Sequence, residues 1–244
     1  MTAPSPAEPR QPAEPRQNIE FPSGDGTAHG YLAVPPSGSG PGVVMIQEWW
    51  GLTDHVAEMA DRFAAEGFVV LAPDLYGGTV THDADEAGEL MQSLPVERAA
   101  RDLGGAVDFL LGHEAVTSTA VGAVGFCMGG GFVLLLASQQ GDRVGAAVPF
   151  YGVGPGVAAA DLSGITAPVL GHFGTEDSFA PPGQVDDLEE QLDEQSQGPV
   201  TVLRYDGAGH AFANDHDPVG NYDADLAAQA LRRTYDFLRE QLSS

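Results

Sequence analysis

The chain has 244 residues, 43% of them hydrophobic, and its 35 acidic side chains outnumber 10 basic ones, all arginines, for a formal net charge of −25. This charge argues against nucleic acid and against an anionic membrane surface as partners, because both repel an acidic protein. The sequence has no run of eighteen apolar residues, so it predicts no membrane span. The acidic composition fits either solubility through self-repulsion or adaptation to high salt.

The N-terminal segment is rich in proline and charge. Residues 6–17 contain PAEPRQ twice, a composition without the large apolar side chains that order a segment. The start of the chain has neither the basic nor the apolar part of a secretory signal, and the single cysteine excludes an internal disulfide. We therefore expect a disordered tail over 1–17, one domain over 18–244 and a cytoplasmic location.

The rest of the chain alternates strand-like and helix-like segments. Two β-rich segments around GDG at 24–26 predict an initial hairpin. Further strands are predicted at 41–48, 68–78, 119–127, 144–152, 167–174 and 200–207, and helices at 54–67, 95–113, 128–140, about 183–196 and 222–242. This alternation predicts an α/β fold with a mostly parallel sheet and helices on both faces. In such sheets, reacting groups collect outside the carboxyl ends of the strands.

The segment GFCMG at 125–129 lies between a predicted strand and a predicted helix. Its pattern is that of a nucleophile elbow with Cys127 in place of serine, in which Gly125 and Gly129 remove side-chain clashes at a sharp turn. The N-terminus of a helix is also a place where the helix dipole favours a thiolate. The alternative is a buried, inert cysteine among glycines that serve helix packing.

Two downstream loops supply the partners that a nucleophilic thiol needs. Asp177 follows the strand at 167–174 and His210 follows the strand at 200–207, so that nucleophile, acid and histidine occur in the chain order of the elbow fold. Taken singly, Asp177 also fits an ordinary turn acid and His210 a loop histidine. The other histidines fit the role less well: His29, His55, His82, His113, His172 and His216. No H-E-x-x-H or clustered Cys/His pattern predicts a metal site.

With these residues the sequence resembles the dienelactone hydrolases, a cysteine-nucleophile branch of the α/β-hydrolase fold. The matching segments are VVMIQEWWG (43–51), LAPDLYGG (71–78), GFCMGG (125–130), HFGTEDSFAP (172–181) and YDGAGHAFAND (205–215). They cover the chain from about residue 18 onward. The resemblance implies a catalytic triad of Cys127, Asp177 and His210.

The resemblance also implies a role for Glu48. It implies that this carboxylate contacts the thiol and can take its proton when substrate binds, and an apolar surrounding would make it a usable base. Without the resemblance, Glu48 fits a solvated acid at a strand end. The oxyanion hole is expected to use the backbone N–H groups of Trp49 and Met128.

The residues predicted to contact substrate are Trp50, Tyr76, Phe212 and Asn214. The resemblance to dienelactone-cleaving members implies two arginines that grip the substrate carboxylate, but this sequence has Gly78 and Asn214 at those places. Neither residue replaces a bidentate arginine contact, so we expect a neutral, moderately apolar ester or lactone. Arg98 and Arg101 are the arginines that could still fold toward the site.

The sequence thus predicts a hydrolase of carboxylic esters or lactones that forms a thioester acyl-enzyme. We expect no cofactor and no metal, a small-molecule ester or lactone as the only partner, and a monomer. A different class stays open: a low-turnover ligand-binding or thiol-sensing protein on the same fold, whose exposed thiolate is oxidisable. The two classes differ in that only the hydrolase forms an acyl-enzyme.

Overall fold

The computed structural model describes residues 15–153, 157 and 160–243. Its strands are β1 (Ile19–Ser23), β2 (Gly26–Ala33), β3 (Gly42–Ile46), β4 (Val69–Pro73), β5 (Val121–Phe126), β6 (Val144–Phe150), β7 (Val169–Gly174) and β8 (Val200–Tyr205). They form one sheet in the order β1-β2-β4-β3-β5-β6-β7-β8. β1 and β2 form the predicted hairpin, β2 is antiparallel to both neighbours, and every other adjacent pair is parallel. The predicted mostly parallel sheet is therefore confirmed.

Helices cover both faces of the sheet. Within the described residues they are α1 (Asp54–Ala65), α2 (Ala84–Ser93), α3 (Val96–Gly112), α4 (Met128–Gln140), α5 (Pro182–Gln195) and α6 (Ala224–Leu242). The buried side chains of α1 and α6 belong to one apolar cluster, and those of α3, α4 and α5 belong to another. None of the helices in the described part is both long enough and apolar enough to cross a bilayer.

One helix, α2, is absent from the predicted elements. The side chain of Asp83 accepts hydrogen bonds from the N–H groups of Asp85 and Glu86 and so caps the first turn. The sequence carries this signal in the segment DADE. Only Ala87 is buried along the helix, so the apolar periodicity that reveals the other helices is weak here.

The central strands are buried on both faces. Every residue of β3, β4 and β5 is buried, as expected for parallel strands between two layers of helices. β8, at the edge of the sheet, is partly exposed. The buried centre of the sheet therefore carries the segments that follow β3 and β5. The functional residues predicted at 48–50 lie in the loop after β3, and those at 127–128 lie at the turn from β5 into α4.

The predicted tail, residues 1–17, is described only at its end, because residues 1–14 lie outside the described residues. Arg16 donates a hydrogen bond to Asp54 at 2.9 Å, and Gln17 donates one to Asp74 at 2.6 Å. These two residues therefore contact the folded domain.

Candidate active site

Cys127 lies at the sharp turn between β5 and α4. Its backbone has φ 54° and ψ −118°, a conformation that is unfavourable for a residue with a side chain. The turn is held by two backbone hydrogen bonds, from Cys127 N–H to Phe150 O at 3.0 Å and from Gly130 N–H to Cys127 O at 2.9 Å. The half-buried thiol lines a cavity at the carboxyl edge of the sheet.

The glycines around Cys127 allow the start of α4 to approach the end of β3. A Cβ on Gly125 would lie 2.3 Å from the carbonyl oxygen of Gly129, and a Cβ on Gly129 would lie 2.4 Å from that of Ile46. This close approach brings together the two segments that hold the predicted oxyanion donors. Among the described residues, neither Trp49 N–H nor Met128 N–H donates to a protein acceptor, as expected for Met128 in the first turn of a helix.

His210 and Asp177 come from the loops that follow β8 and β7. Their side chains are almost fully buried, and Asp177 Oδ2 lies 2.8 Å from His210 Nδ1. Asp177 Oδ1 accepts hydrogen bonds from the N–H groups of Phe179 and Ala180, both at 2.8 Å, which fixes the carboxylate. His210 Nδ1 therefore carries the proton of the bond to Asp177, and Nε2 is the nitrogen available for chemistry.

Charge around His210 favours its protonated form. Burial lowers the pKa of His210, but the hydrogen bond to Asp177 and the attraction of Cys127 outweigh burial and raise the pKa to about 10. Nε2 of His210 is buried and makes no well-aligned hydrogen bond to a described residue, so it is available to a substrate or to the Cys127 thiol.

Glu48 is buried beside these groups. Its Oε2 accepts a hydrogen bond of 2.7 Å from Asn214 Nδ2, whereas Oε1 has no hydrogen-bond partner among the described residues. Burial raises the pKa of Glu48 to about 7, against the lowering effects of the Asn214 hydrogen bond and of His210. A carboxyl group with this pKa exchanges its proton readily at neutral pH. The structure thus places all four residues predicted as catalytic around one cavity, with Asp177 behind His210.

The cavity itself is apolar, with a volume of about 510 Å³. Its ionisable lining side chains among the described residues are Glu48, Cys127, Tyr151 and His210. The rest of the wall is mainly aromatic and aliphatic: Trp49, Trp50, Met91, Met128, Phe132, Leu135, Val153, Val157, Phe179 and Val219. Such a wall suits a neutral apolar ligand, because an anionic group there would lose water and meet as its only cation the imidazolium of His210, which is already paired with Asp177.

Of the residues predicted to contact substrate, Trp50 lines this cavity but three others do not. Phe212 is fully buried and packs against Tyr151 and Tyr205, at ring-centroid distances of 5.7 and 4.9 Å. Asn214 is hydrogen-bonded to Glu48 and does not form part of the cavity wall. Tyr76 lies nearer, since its hydroxyl donates to Met128 Sδ at 3.4 Å, but it does not form part of the wall. Strand-end position alone did not reveal which side chains turn inward.

The two arginines that could have replaced the missing anchors lie elsewhere. Arg98 donates to the carbonyl oxygen of Leu75 at 2.6 Å and lies 3.6 Å from Asp102. Arg101 lies 3.9 Å from the same carboxylate. Neither guanidinium is part of the cavity wall, so we expect the site to have no arginine anchor for a substrate carboxylate.

Tyr151 and Phe179 are cavity residues that the sequence did not single out. Tyr151 directly follows β6, has a positive φ of 41°, and its buried hydroxyl has no hydrogen-bond partner among the described residues. Phe179 is 58% exposed at the rim, with its ring 4.8 Å from that of His210. The signal for Tyr151 was its position at a strand carboxyl end, which it shares with the predicted residues.

The comparisons with known proteins agree with this architecture. A sequence profile of the dienelactone hydrolase family matches residues 28–242. The chain belongs to this family. A relative from Aquifex pyrophilus named Protein usf is 35% identical over 234 residues, covering 93% of this chain and 99% of the relative. The carboxymethylenebutenolidase of Pseudomonas putida is 31% identical over 235 residues, covering 91% and 95%.

A solved structure supports the same assignment. The crystal structure of a dienelactone hydrolase-like promiscuous phosphotriesterase from metagenomic libraries has a TM-score of 0.78 and 28% identity, covering 95% of this chain and 100% of that one. The predicted membership of the dienelactone hydrolase family and the α/β-hydrolase fold are therefore confirmed, as is the reaction class of a carboxylic ester or lactone hydrolase.

Proposed function

We propose that this protein hydrolyses neutral, apolar carboxylic esters or lactones through a thioester formed on Cys127. The observation that carries the proposal is the strained turn that presents the thiol to a cavity shared with the His210–Asp177 pair. A backbone held at positive φ by its surroundings is a feature of functional turns. An inert packing cysteine would not need it.

The acylation step of the proposed reaction involves two proton transfers. The Cys127 thiol gives its proton to the Glu48 carboxylate, and the sulfur attacks the carbonyl carbon to form a tetrahedral oxyanion. Backbone N–H groups of Trp49 and Met128 stabilise that charge. When the C–O bond breaks, protonated His210 gives its proton to the leaving alkoxide.

Deacylation then uses water. Neutral His210 takes a proton from a water molecule, the hydroxide attacks the thioester carbonyl, and the thiolate leaves and regains its proton from Glu48. Asp177 keeps the imidazole in the required tautomer and orientation throughout. The raised pKa of His210 matches this scheme because the acylation half needs the imidazolium form.

The lack of an arginine anchor supports a neutral substrate. No arginine forms part of the described cavity wall, and the net charge of −25 adds a long-range repulsion toward anions. The long-range part is screened by salt. A preference that arises from the cavity wall itself therefore persists at high salt.

Pre-steady-state kinetics tests the acyl-enzyme. With p-nitrophenyl acetate, we expect burst release of p-nitrophenol and a mass increase of one acetyl group that maps to Cys127. The Cys127→Ala variant should show neither. Iodoacetamide labelling of Cys127 without burst or acyl adduct would contradict the hydrolase and favour a thiol-sensing protein.

Substrate preference is tested with a matched pair. The p-nitrophenyl esters of pentanoic acid and of succinic acid (as the free half-acid) are similar in length, but only the second carries a negative charge. We expect kcat/KM to be at least tenfold higher for the neutral ester at both low and 1 M salt. Equal or faster cleavage of the anionic ester would show that a cation reaches the site.

A further inference from the structure

A second cluster of chemically able side chains lies outside the catalytic cavity. His55 is at the start of α1, and Asp215 and His216 are in the loop that follows His210. One nitrogen or carboxylate oxygen from each of the three lies within 4.8 Å of those of the other two. The proposed hydrolysis uses none of them, and no pattern in the sequence placed them together.

Two of these side chains, those of His55 and Asp215, carry buried polar atoms that lack hydrogen-bond partners among the described residues. Both ring nitrogens of His55 and Oδ1 of Asp215 have no hydrogen-bond partner among the described residues, and the His55 residue is only 3% exposed. His55 Nδ1 and Asp215 Oδ1 are 3.2 Å apart, but they are not oriented as a hydrogen bond. Buried polar atoms without hydrogen-bond partners require an explanation, such as an ion that contacts both His55 and Asp215.

The spacing of one ligand pair fits a metal ion, and the candidate atom of His216 lies within 4.8 Å of both. Two ligand atoms that bind a tetrahedral ion at 2.0–2.1 Å lie about 3.3 Å from one another, close to the 3.2 Å between His55 Nδ1 and Asp215 Oδ1. We propose that His55, Asp215 and His216 bind a divalent transition-metal ion of the Zn²⁺ type. Imidazole with carboxylate is a ligand set that such ions accept, whereas Mg²⁺ and Ca²⁺ prefer oxygen ligands alone.

The surroundings of the three ligands support metal binding. His216 Nε2 lies 3.0 Å from Glu58 Oε2, and a carboxylate partner is typical of histidines that bind metals. The second oxygen of Asp215 pairs with Arg62, which orients the carboxylate and leaves Oδ1 for the ion.

The cluster has access to solvent through a cavity of its own. This cavity has a volume of about 180 Å³, and its wall includes His55, His216 and a further histidine, His82. It provides room for a water molecule as a fourth ligand. The acidity of the chain raises the local concentration of cations.

A metal ion here would join α1 to the loop that supports Glu48. Asn214, which precedes Asp215, donates to Glu48 Oε2 and also accepts from the N–H of His216. Binding would therefore stabilise this loop and the Asn214–Glu48 contact. The inference concerns a structural ion and does not depend on the proposed ester hydrolysis.

Metal titration of a tag-free, full-length Cys127→Ala protein tests the site. That background is needed because the Cys127 thiolate with His210 would itself bind a soft metal ion. We expect calorimetry to show one Zn²⁺ per chain, Co²⁺ to give the visible spectrum of nitrogen and oxygen ligands, and the melting temperature to rise on binding. Mg²⁺ should produce none of these changes.

The decisive variant is His216→Ala, made in the same background. The His216 side chain is 42% exposed, so the variant should fold, and we expect it to bind Zn²⁺ at least tenfold more weakly. The matched control is His29→Ala, because His29 is also 42% exposed and lies 3.7 Å from a carboxylate, that of Glu20. It should bind like the parent.

Two results would overturn the metal site. One is the absence of saturable Zn²⁺ binding by the folded Cys127→Ala protein. The other is an equal affinity of His216→Ala and the parent, which would place any bound ion elsewhere. If circular dichroism shows that His216→Ala is unfolded, His216→Gln, which keeps the size and polarity but is a poor metal ligand, takes its place with the same expected loss.

Discussion

The hydrogen bond from Asn214 to Glu48 predicts the pH dependence of hydrolysis. In the proposed reaction Glu48 must be ionised to accept the thiol proton, and its raised pKa of about 7 therefore produces a rise in kcat/KM across neutral pH. Asn214 donates to the charged form at 2.7 Å and lowers this pKa. Asn214→Leu, a change of similar size, removes the donor without adding charge.

The expected shift follows from the strength of that bond. A hydrogen bond to a charged group contributes about 1.5–3 kcal/mol, and one pKa unit corresponds to about 1.4 kcal/mol. The rise in kcat/KM of Asn214→Leu should therefore move upward by about one to two pH units. At pH 7 the ionised fraction of Glu48 falls from about a half to between about a tenth and a hundredth, so kcat/KM falls roughly 5- to 50-fold.

The assay is a kcat/KM profile from pH 5 to 9.5 with a neutral p-nitrophenyl ester, in EDTA so that no metal contributes. The difference in kcat/KM between the parent and Asn214→Leu should shrink as the pH rises. Glu48→Gln should lack the rise in kcat/KM near pH 7 altogether. A melting temperature close to that of the parent checks that the variant is folded. A folded Asn214→Leu whose profile keeps the parent's midpoint, or whose activity drops equally at every pH, would refute this role of Glu48.

Three further predictions concern the triad, the elbow and acid stability. Asp177→Asn should keep the fold but lower kcat by about 10³- to 10⁴-fold, because the imidazole loses its orienting charge; an unchanged rate removes Asp177 from the mechanism. Gly125→Ala places a Cβ 2.3 Å from a carbonyl oxygen and should lower the free energy of unfolding by about 3 kcal/mol in urea titrations. Its control Gly88→Ala, in α2 with no atom within 4 Å of the new Cβ, should raise it by about 1 kcal/mol. Burial lowers the pKa of His172 to about 3, below its unfolded value near 6.5. Because the unfolded state then binds one more proton than the folded state, the free energy of unfolding should fall as the pH drops from 6.5 toward 3. His172→Gln should flatten this dependence on pH, and an unchanged dependence would assign it to other groups.

The sequence was sufficient for the fold and for the order of the reactive residues. Alternating β-branched and amphipathic segments determined a parallel sheet with helices on both faces, because each pattern can be buried only in that arrangement. Glycines at 125 and 129 marked the elbow, since a Cβ at either position would lie within 3 Å of a backbone carbonyl oxygen.

The tertiary structure decided which side chains meet. Phe212 and Asn214 lie in the same loop after β8 as His210, yet Phe212 packs in the core and Asn214 donates a hydrogen bond to Glu48 without lining the cavity. Tyr151 lines the cavity although nothing in its segment distinguished it. The direction of a loop side chain depends on local backbone angles and on neighbours that are distant in the sequence. Hydrophobic periodicity carries information about neither.

The cluster of His55, Asp215 and His216 is the extreme case of this limit. His55 lies 160 positions before Asp215 along the chain, and the three residues match no known spacing of metal ligands. They meet because α1 contacts the loop after β8, through the pairs Arg62–Asp215 and Glu58–His216. The sequence by itself determined the scaffold and the nucleophile, whereas only long-range packing determined the wall of the cavity and this second cluster.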